Sequence, residues 1–589
     1  MKYADQLAEW LVELGYTHCF CVAGGNIMHL LESCSQRLTC IPVVHEVAAG
    51  IAAEYFNEVS EDGKAFALVT AGPGLTNIVT AIAGAYLESH ELLVIGGQVK
   101  VSDLARGQLR QRGIQEVNGV DIVKPITVTS TLLIDIIDKK TFREFVRSGS
   151  VGRKGPVFLE VPLDLQGRDV NPESLNGSAE VVLPEFPAVE QAILERISLK
   201  LRTSKRPVLL IGGGISRSTA SELLGPLVKL GVPLMTTWNG IDRIPSEHPL
   251  YFGRPNTWGQ RSSNILIQQA DLVVALGTRL GLQQTGFNWK EFVPLGEVIQ
   301  VECDAAELSK GHPRVAIPIC GDANAVLRSI ADFPAGDYSK WVEFCRFVRH
   351  EIPLVERVNS TSEGFLSPYE FAQELSLLCT SKDVVIPCSS GGAYTVMMQT
   401  FAQRAGQKMV NTKGLASMGY GLSGAIGAAV ATEGRRTVLV EGDGGFMQNV
   451  QELGTVRSNN LNLKMFLFEN NGYASIRMTQ RNYFKGHYVG CDMETGLGIP
   501  KWESLFSAFE IPVKSISKGY QEDEAFLRMF ESQGPSAFLV RIDPEQTYFP
   551  KIASRVGVDG SMESNPLHLM SPELPVDVAA QVFRYLQTP

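Results

Sequence analysis

No stretch of the chain holds the roughly 18 uninterrupted apolar residues that a membrane span requires. The basic start and apolar core of a secretory leader are also missing. The first residues, MKYADQLAEWLVELG, are acidic and amphipathic, which predicts a cytoplasmic protein. Positive charge is in short supply: 53 Lys plus Arg face 63 Asp plus Glu, a formal net charge of −10, which argues against a protein built to coat nucleic acid. The ten cysteines include one close pair, Cys19 and Cys21. No second pair completes a zinc framework, so they are expected to serve as reduced core residues. Low-complexity segments and short repeats are absent. Apolar residues at 44% and charged residues at 20% describe a folded globular chain. What is plentiful is glycine: 56 residues without collagen-like period, clustered where apolar runs end.

At roughly 100–200 residues per domain, 589 residues predict three or four domains. Residues 1–165 alternate helical and strand signals. Tyr3–Leu14 has helical spacing, and His18–Val22, Ala65–Val69 and Leu92–Ile95 are apolar runs that stop at or just before glycine. Residues 166–190 have linker composition. A second unit, 190–335, carries strands at Arg206–Ile211, Asp271–Leu276 and Glu297–Val301. After a loop-like stretch at 336–365, a third unit, 366–550, carries strands at Asp383–Ile386, Arg436–Val440, Lys464–Phe468 and Ala537–Ile542. The tail, 551–589, predicts one short helix near Asp577–Leu586. Strands alternating with helices predict three doubly wound α/β domains with parallel sheets, whose ligands lie at the carboxyl ends of the strands.

The strongest chemical signal is in the third unit. TVLVEGDGGF ends in Gly442-Asp443-Gly444-Gly445, and 27 residues beyond Asp443 comes Asn470 in MFLFENNGYASI. Each piece alone reads as a helix cap or a turn. Together, on two strand ends, they offer a carboxylate, an amide oxygen and the Gly472 carbonyl to a hard cation such as Mg²⁺. The flanking glycines let backbone N–H groups approach a diphosphate.

These residues resemble the thiamine diphosphate-dependent enzymes, and the resemblance runs through nearly the whole chain as pyrimidine-binding, central and diphosphate-binding domains. It implies that Asp443, Asn470 and the Gly472 carbonyl hold the metal, with Glu469 standing where the first asparagine of the usual pair falls. In PVVHEVAAGIAAEYF it implies that Glu46 hydrogen-bonds the aminopyrimidine and so helps remove the thiazolium C2 proton. A helix-start glutamate also has the plainer role of serving the helix dipole. TAGPGLTNIVTAIAGAY places Pro73 and Asn77 beside the pyrimidine. KGLASMGYGLSGAIGAA places Met418 under the bent cofactor and the Ala416 carbonyl at its amino group. Gly391 and Gly392 are looser matches for a diphosphate contact, and Gly442, Gly444, Gly445 and Ile476 complete the implied cofactor-binding set.

Within that family the chain is most similar to the acetolactate synthase group, through GGNIMHLLE and through VIGGQVKVSDLARG followed by IQEVNGVDIVKPIT. Gln115 falls near the reacting carbon, with Ile114 in place of the usual phenylalanine. Gln115 and His29 are candidates for proton handling, and for His29 a core or capping role is an equal alternative. Simple pyruvate decarboxylases carry a His-His pair that this chain lacks. Thr479 replaces a tryptophan of the family, which would open a pocket wall to a larger acceptor. GRPNTWGQR and GTRLGLQQTGFNW resemble surface-polysaccharide carboligases that pass a two-carbon unit from pyruvate to a nucleotide-linked 4-keto sugar, with Arg254, Arg261, Arg279 and Lys290 as candidates to face a diphosphate. The expected activity is therefore transfer of that unit from pyruvate to a ketone acceptor larger than pyruvate. The alternatives are an acetolactate synthase, a 2-oxo acid decarboxylase or, more remotely, a non-catalytic cofactor-binding regulator. FAD is a possible further cofactor at Gly212-Gly213-Gly214, Gly277-Thr278-Arg279 and residues 301–304. The resemblance also implies a homodimer or homotetramer with Glu46 and Asp443 contributed by different subunits.

Overall fold

Runs such as Leu92–Gln98 and Pro156–Pro162 are buried along their whole length. Only a strand covered on both faces tolerates that, which is the signature of a parallel sheet between helix layers. A computed structural model shows three such sheets and describes residues 1–175, 186, 188–556 and 562–586. The chain divides into two compact units, one of residues 1–185, 383–391 and 410–541, the other of 186–382, 392–409 and 542–589.

The first unit contains two of the sheets. In the N-terminal one the strands run in the order Thr39–Pro42, Tyr16–Cys21, Lys64–Val69, Leu92–Gln98, Pro156–Pro162, Thr129–Leu132, all parallel. In the C-terminal one Val384–Ile386, Thr437–Gly442, Leu463–Glu469, Ser536–Arg541 and Val513–Ile516 follow in that order, again parallel. The predicted strands match observed ones to within three residues at each end.

Two helices of small residues join the sheets. Helix Glu46–Val59, EVAAGIAAEYFNEV, packs on helix Tyr420–Ala431, YGLSGAIGAAVA. Glycine is required at the contact: a side chain at Gly427 would run into the Ala52 carbonyl, and one at Gly424 into the Tyr55 ring. The close approach also buries polar groups, which pair. Tyr55 Oη and Thr412 Oγ1 are 3.0 Å apart, Tyr420 Oη donates to Glu54 at 3.2 Å, and His90 Nδ1 lies 2.7 Å from Glu54. Burial opposes the His90 charge, but Glu58 and Glu54 outweigh it and push its pKa up to about 9.

The second unit holds the middle sheet, in the order Ile317–Cys320, Glu297–Glu302, Leu272–Leu276, Pro207–Ile211, Leu234–Thr236. Its Gly212 and Gly214 amides donate to the carbonyls of Leu276 and Gly277, both at 2.9 Å, and side chains at either glycine would collide with Gly277. Close packing of two loops thus accounts for these glycines. Two of the cations expected to face a diphosphate are structural instead. Arg254, 1% exposed, donates to the carbonyls of Met398, Gln399 and Phe401. Arg261, 3% exposed, binds Glu356 and the carbonyls of Met570 and Pro572. Each satisfies chain ends that would otherwise be buried without partners. Arg279 lies 3.7 Å from Glu307, and Lys290 sits over the Trp289 ring.

The predicted linker at 166–190 contains helix Pro172–Leu175, and its residues 176–185 and 187 lie outside the described residues. The tail carries the predicted helix at Val576–Val582. It is integral to the second unit, because Leu567, Val582 and Phe583 are buried in that unit's core and Gln269 binds both Val582 O and Tyr585 N.

Two outcomes follow from the helix pair. Gly427→Ala gains about 1 kcal/mol of helix propensity but forces a methyl into the Ala52 backbone. Overpacking, typically 1–3 kcal/mol or more, outweighs it, and urea unfolding should show net destabilisation. A folded-state His90 pKa of about 9 lies above the unfolded value of 6.5. Its stabilisation is therefore complete below pH 6.5 and lost as pH rises through 9, on the order of 3 kcal/mol. The melting temperature should fall between pH 7 and 10, and His90→Gln should flatten that fall.

Candidate active site

Parallel pairing sets Gly442 beside Phe468, so the loops after strands Thr437–Gly442 and Leu463–Glu469 emerge side by side. Asp443 begins the short helix Asp443–Phe446 and is 0% exposed. Its carboxylate accepts backbone N–H groups from Gly444 at 2.7 Å, Asn470 at 3.1 Å and Gly472 at 3.0 Å. Burial still pushes its pKa up to about 6 against those three bonds. Gly472, at φ 108°, adopts a backbone conformation that side-chain-bearing residues avoid, and so turns its amide onto the carboxylate.

The residues fit a hard cation. The Asn470 amide turns one atom toward both Gly472 O, at 2.9 Å, and Asp443 Oδ1, at 3.2 Å. With nitrogen there it would donate to both. With oxygen there, its separations from those two oxygens are close to the roughly 3 Å edge of an octahedron with Mg²⁺–O bonds of about 2.1 Å. The absent side chain of Gly442 leaves open space beside this cluster, while Gly444 makes room for the Tyr473 ring.

A second cluster lies in the N-terminal sheet's loops. Glu46 opens its helix behind an N-cap, His45, whose ring accepts from Val47 N at 3.2 Å. The Glu46 carboxylate, 8% exposed, accepts from Asn77 Nδ2 at 2.9 Å. Two residues 31 positions apart, each singled out by sequence, thus meet. Pro73 is exposed at the first turn of the Asn77 helix, Pro73–Glu88. The Gln115 carbonyl packs against Gly72, and Gln115 itself is exposed at φ 66°. Strain of that kind in a residue other than glycine is concentrated at functional loops. His29, by contrast, lies against Gly167. Among the described residues Glu46 and Asp443 share no hydrogen-bond partner.

Of the remaining candidates, Ala416 has a positive φ of 56°, as does Gly391 at 77°. Gly392 makes room for the Tyr548 ring, and Gly445 approaches Glu441. Met418 and Ile476 are 39% and 48% exposed, apolar side chains left facing outward. Thr479 is exposed on helix Ala474–Tyr483, its hydroxyl bonded back to Ser475 O at 3.0 Å.

Three positioning residues had no motif to announce them. Arg477, 4% exposed, donates to Asn470 O at 2.7 Å and Asn471 O at 3.0 Å, clamping the turn that carries the oxygen cluster. Glu452 accepts from Val44 N and His45 N, fixing the chain just before Glu46. Glu160 accepts from Gln98 Nε2 at 3.1 Å, and Gln98 also donates to Val117 O two residues past Gln115. Burial drives the Glu160 carboxyl up to about 8. A charged residue within a strand, as Glu160, or in or just before the first turn of a helix, as Arg477 and Glu452, was the available signal.

An acid–amide–carbonyl cluster that fits a hard cation and a buried glutamate–asparagine pair are compatible with an enzyme that uses a thiamine-type cofactor. The thiamine pyrophosphate enzyme family matches in three segments: its N-terminal TPP binding domain over residues 1–122, its central domain over 194–330 and its C-terminal TPP binding domain over 390–540. Acetolactate synthase 1, chloroplastic, of Zea mays is 30% identical over 578 residues, covering 94% of this chain and 87% of that one. The acetolactate synthase isozyme 1 large subunit of Escherichia coli K12 is 28% identical over 555 residues, 93% and 95% of the two chains. The chain belongs to the thiamine pyrophosphate enzymes, in their acetolactate synthase-like group, and is a thiamine diphosphate-dependent enzyme that forms carbon–carbon bonds.

Loss of the Arg477 clamp should loosen the oxygen cluster without unfolding the strands around it. Arg477→Gln is expected to weaken Mg²⁺-dependent cofactor binding about 10–100-fold, as changes behind metal ligands commonly do. Fluorescence titration with thiamine diphosphate at varied Mg²⁺ measures it, and unchanged affinity would count against the clamp.

Proposed function

We propose that this enzyme decarboxylates pyruvate and transfers the two-carbon acetyl unit to a ketone acceptor larger than pyruvate, a nucleotide-linked 4-keto sugar. The observation that carries the acceptor choice is Thr479, exposed and self-bonded where the resemblance expects an indole, beside an outward-facing Ile476. A pocket wall reduced from tryptophan to threonine admits a bulkier ketone. The similarity to acetolactate synthases favours a second reading, in which the acceptor is another 2-oxo acid.

In the proposed roles, Asp443, Asn470 and the Gly472 carbonyl hold Mg²⁺. Gly391, Gly392, Gly442, Gly444 and Gly445 flank the diphosphate, and Pro73, Asn77, Ala416, Met418 and Ile476 contact the rest of the cofactor. Thiamine diphosphate supplies carbanion chemistry at an acyl carbon. Glu46, nearly buried and held by Asn77, keeps a carboxyl oriented to share a proton with a ring nitrogen. Gln115, on an exposed strained loop, is the candidate for handling the substrate's proton, and His29 is a weaker candidate for the same role. A homodimer or homotetramer, in which each site draws Glu46 and Asp443 from two subunits, rests on the resemblance. The proposed segmentation is 1–165, 190–335, 366–550 and 551–589, and the proposed location is the cytoplasm. FAD in the middle domain rests on resemblance, since the Gly212 and Gly214 amides are already bonded within the protein. Flavin absorbance of the purified enzyme tests it.

Glu46→Gln should retain cofactor binding while losing roughly 10²–10⁴ of turnover. Labelled pyruvate offered with a panel of ketones and nucleotide keto sugars, with products read by mass spectrometry, decides the acceptor. A branched sugar product is expected. Rapid formation of acetolactate from pyruvate alone, with no sugar product, would overturn that reading.

A further inference from the structure

With Arg254 and Arg261 committed to the protein's own carbonyls and to Glu356, the diphosphate of such an acceptor needs other cations. They stand on the loop between strand Leu92–Gln98 and Val117. This loop is folded around one buried carboxylate, Glu116, 8% exposed. Glu116 accepts from Ala105 N at 2.5 Å, Arg112 N at 2.9 Å and Gly113 N at 3.0 Å. Backbone bonds from Gln108 N to Ala105 O, 3.0 Å, and Glu116 N to Gly113 O, 3.2 Å, tighten the turns between. Burial works against the Glu116 charge, yet the three N–H groups hold its carboxyl below the usual range.

The loop therefore has a set shape, with its one buried acid turned inward. Its exposed residues include Arg106, Arg110 and Arg112. Among the described residues Arg106 and Arg110 make no side-chain hydrogen bond or ion pair, and the electrostatic neighbour of Arg112 is Glu116, whose carboxylate is already occupied. Three guanidinium groups within seven residues repel one another, in a chain whose net charge is −10. The same loop ends in Gln115, whose carbonyl packs on Gly72, next to the Pro73–Glu88 helix that carries Asn77 to Glu46. The cations thus stand on the loop that the resemblance puts beside the reacting carbon.

Resting on the acceptor reading above, we propose that Arg106, Arg110 and Arg112 form the binding site for the diphosphate of the nucleotide-linked acceptor. Guanidinium forks match phosphate oxygens in pairs, and three of them exceed what the single carboxylate of pyruvate can engage. A long polyanion would meet the repulsion of the remaining negative surface.

The test uses the holoenzyme and its Arg106→Gln, Arg110→Gln and Arg112→Gln variants. Calorimetric titration with a nucleoside diphosphate, and separately with inorganic pyrophosphate, should show saturable binding of the nucleoside diphosphate, weakened about tenfold per lost arginine and further by salt. Each Arg→Lys variant should recover only part of the loss. In turnover, the ratio of kcat/KM for a nucleotide-linked keto sugar to that for an uncharged ketone should fall by a similar factor. If the native enzyme binds no nucleoside diphosphate, or the variants bind it equally well, the loop assignment is overturned. Turnover of the nucleotide-linked sugar by those same variants at native KM would overturn it too while leaving the acceptor reading intact. Arginine-dependent nucleotide binding by an enzyme that makes only acetolactate would uphold the loop as an anion site and overturn the acceptor reading.

Discussion

The tie between Asp443 and the backbone of the neighbouring strand loop is the constraint on which the candidate cofactor site depends. A carboxylate with no exposed surface survives in a protein only if donors surround it. Here all three donors are main-chain N–H groups, two of them from the loop after the next strand. The carboxylate therefore does two jobs. It bends the Asn470–Gly472 turn into shape, and its Oδ1 lies 3.2 Å from the Asn470 amide atom that also faces the Gly472 carbonyl. Arg477 closes the arrangement from behind by binding the carbonyls of Asn470 and Asn471, so the turn is held through both its donors and its acceptors.

The second half-site is held by longer-range forces. Glu46 begins a helix whose alanines and glycine let it lie directly on the glycine-rich helix of the C-terminal sheet. Glu452, buried in that same part of the chain, reaches back to the amides of Val44 and His45, the latter 407 residues earlier. Helix packing therefore sets the height of Glu46, and one carboxylate sets the turn that precedes it. The aromatic hydroxyls and His90 fill the polar gaps that so close an approach creates, which makes this junction sensitive to both volume and pH.

Much of this was legible in the residues. Strands such as Leu92–Gln98 and Thr437–Gly442 announce themselves because buried parallel strands are continuous apolar runs, and glycine marks where they end. The Asp443–Asn470 pair was legible for the same reason: each lies at a strand end, and parallel order brings such ends together. The meeting of Glu46 with Asn77 was foreshadowed only by resemblance. The arginines were misjudged, since Arg254 and Arg261 sit in loop-like, polar sequence yet are buried as caps for chain segments more than ninety residues away. Charge in a sequence carries no sign of whether it faces water or a carbonyl.

By itself, then, the sequence determined the three-sheet architecture, because that depends on short-range pattern, apolar runs and strand-end glycines, while the cofactor chemistry followed from the resemblance carried by the motifs at those ends. Only the tertiary structure decided which polar groups are spent on the protein and which remain for a ligand. That division depends on contacts between segments hundreds of residues apart, where a buried donor takes whichever acceptor the packing brings within reach. Arg254 and Arg261 were claimed in that way. Arg106 and Arg110 project from a loop already satisfied around Glu116 and were left facing outward.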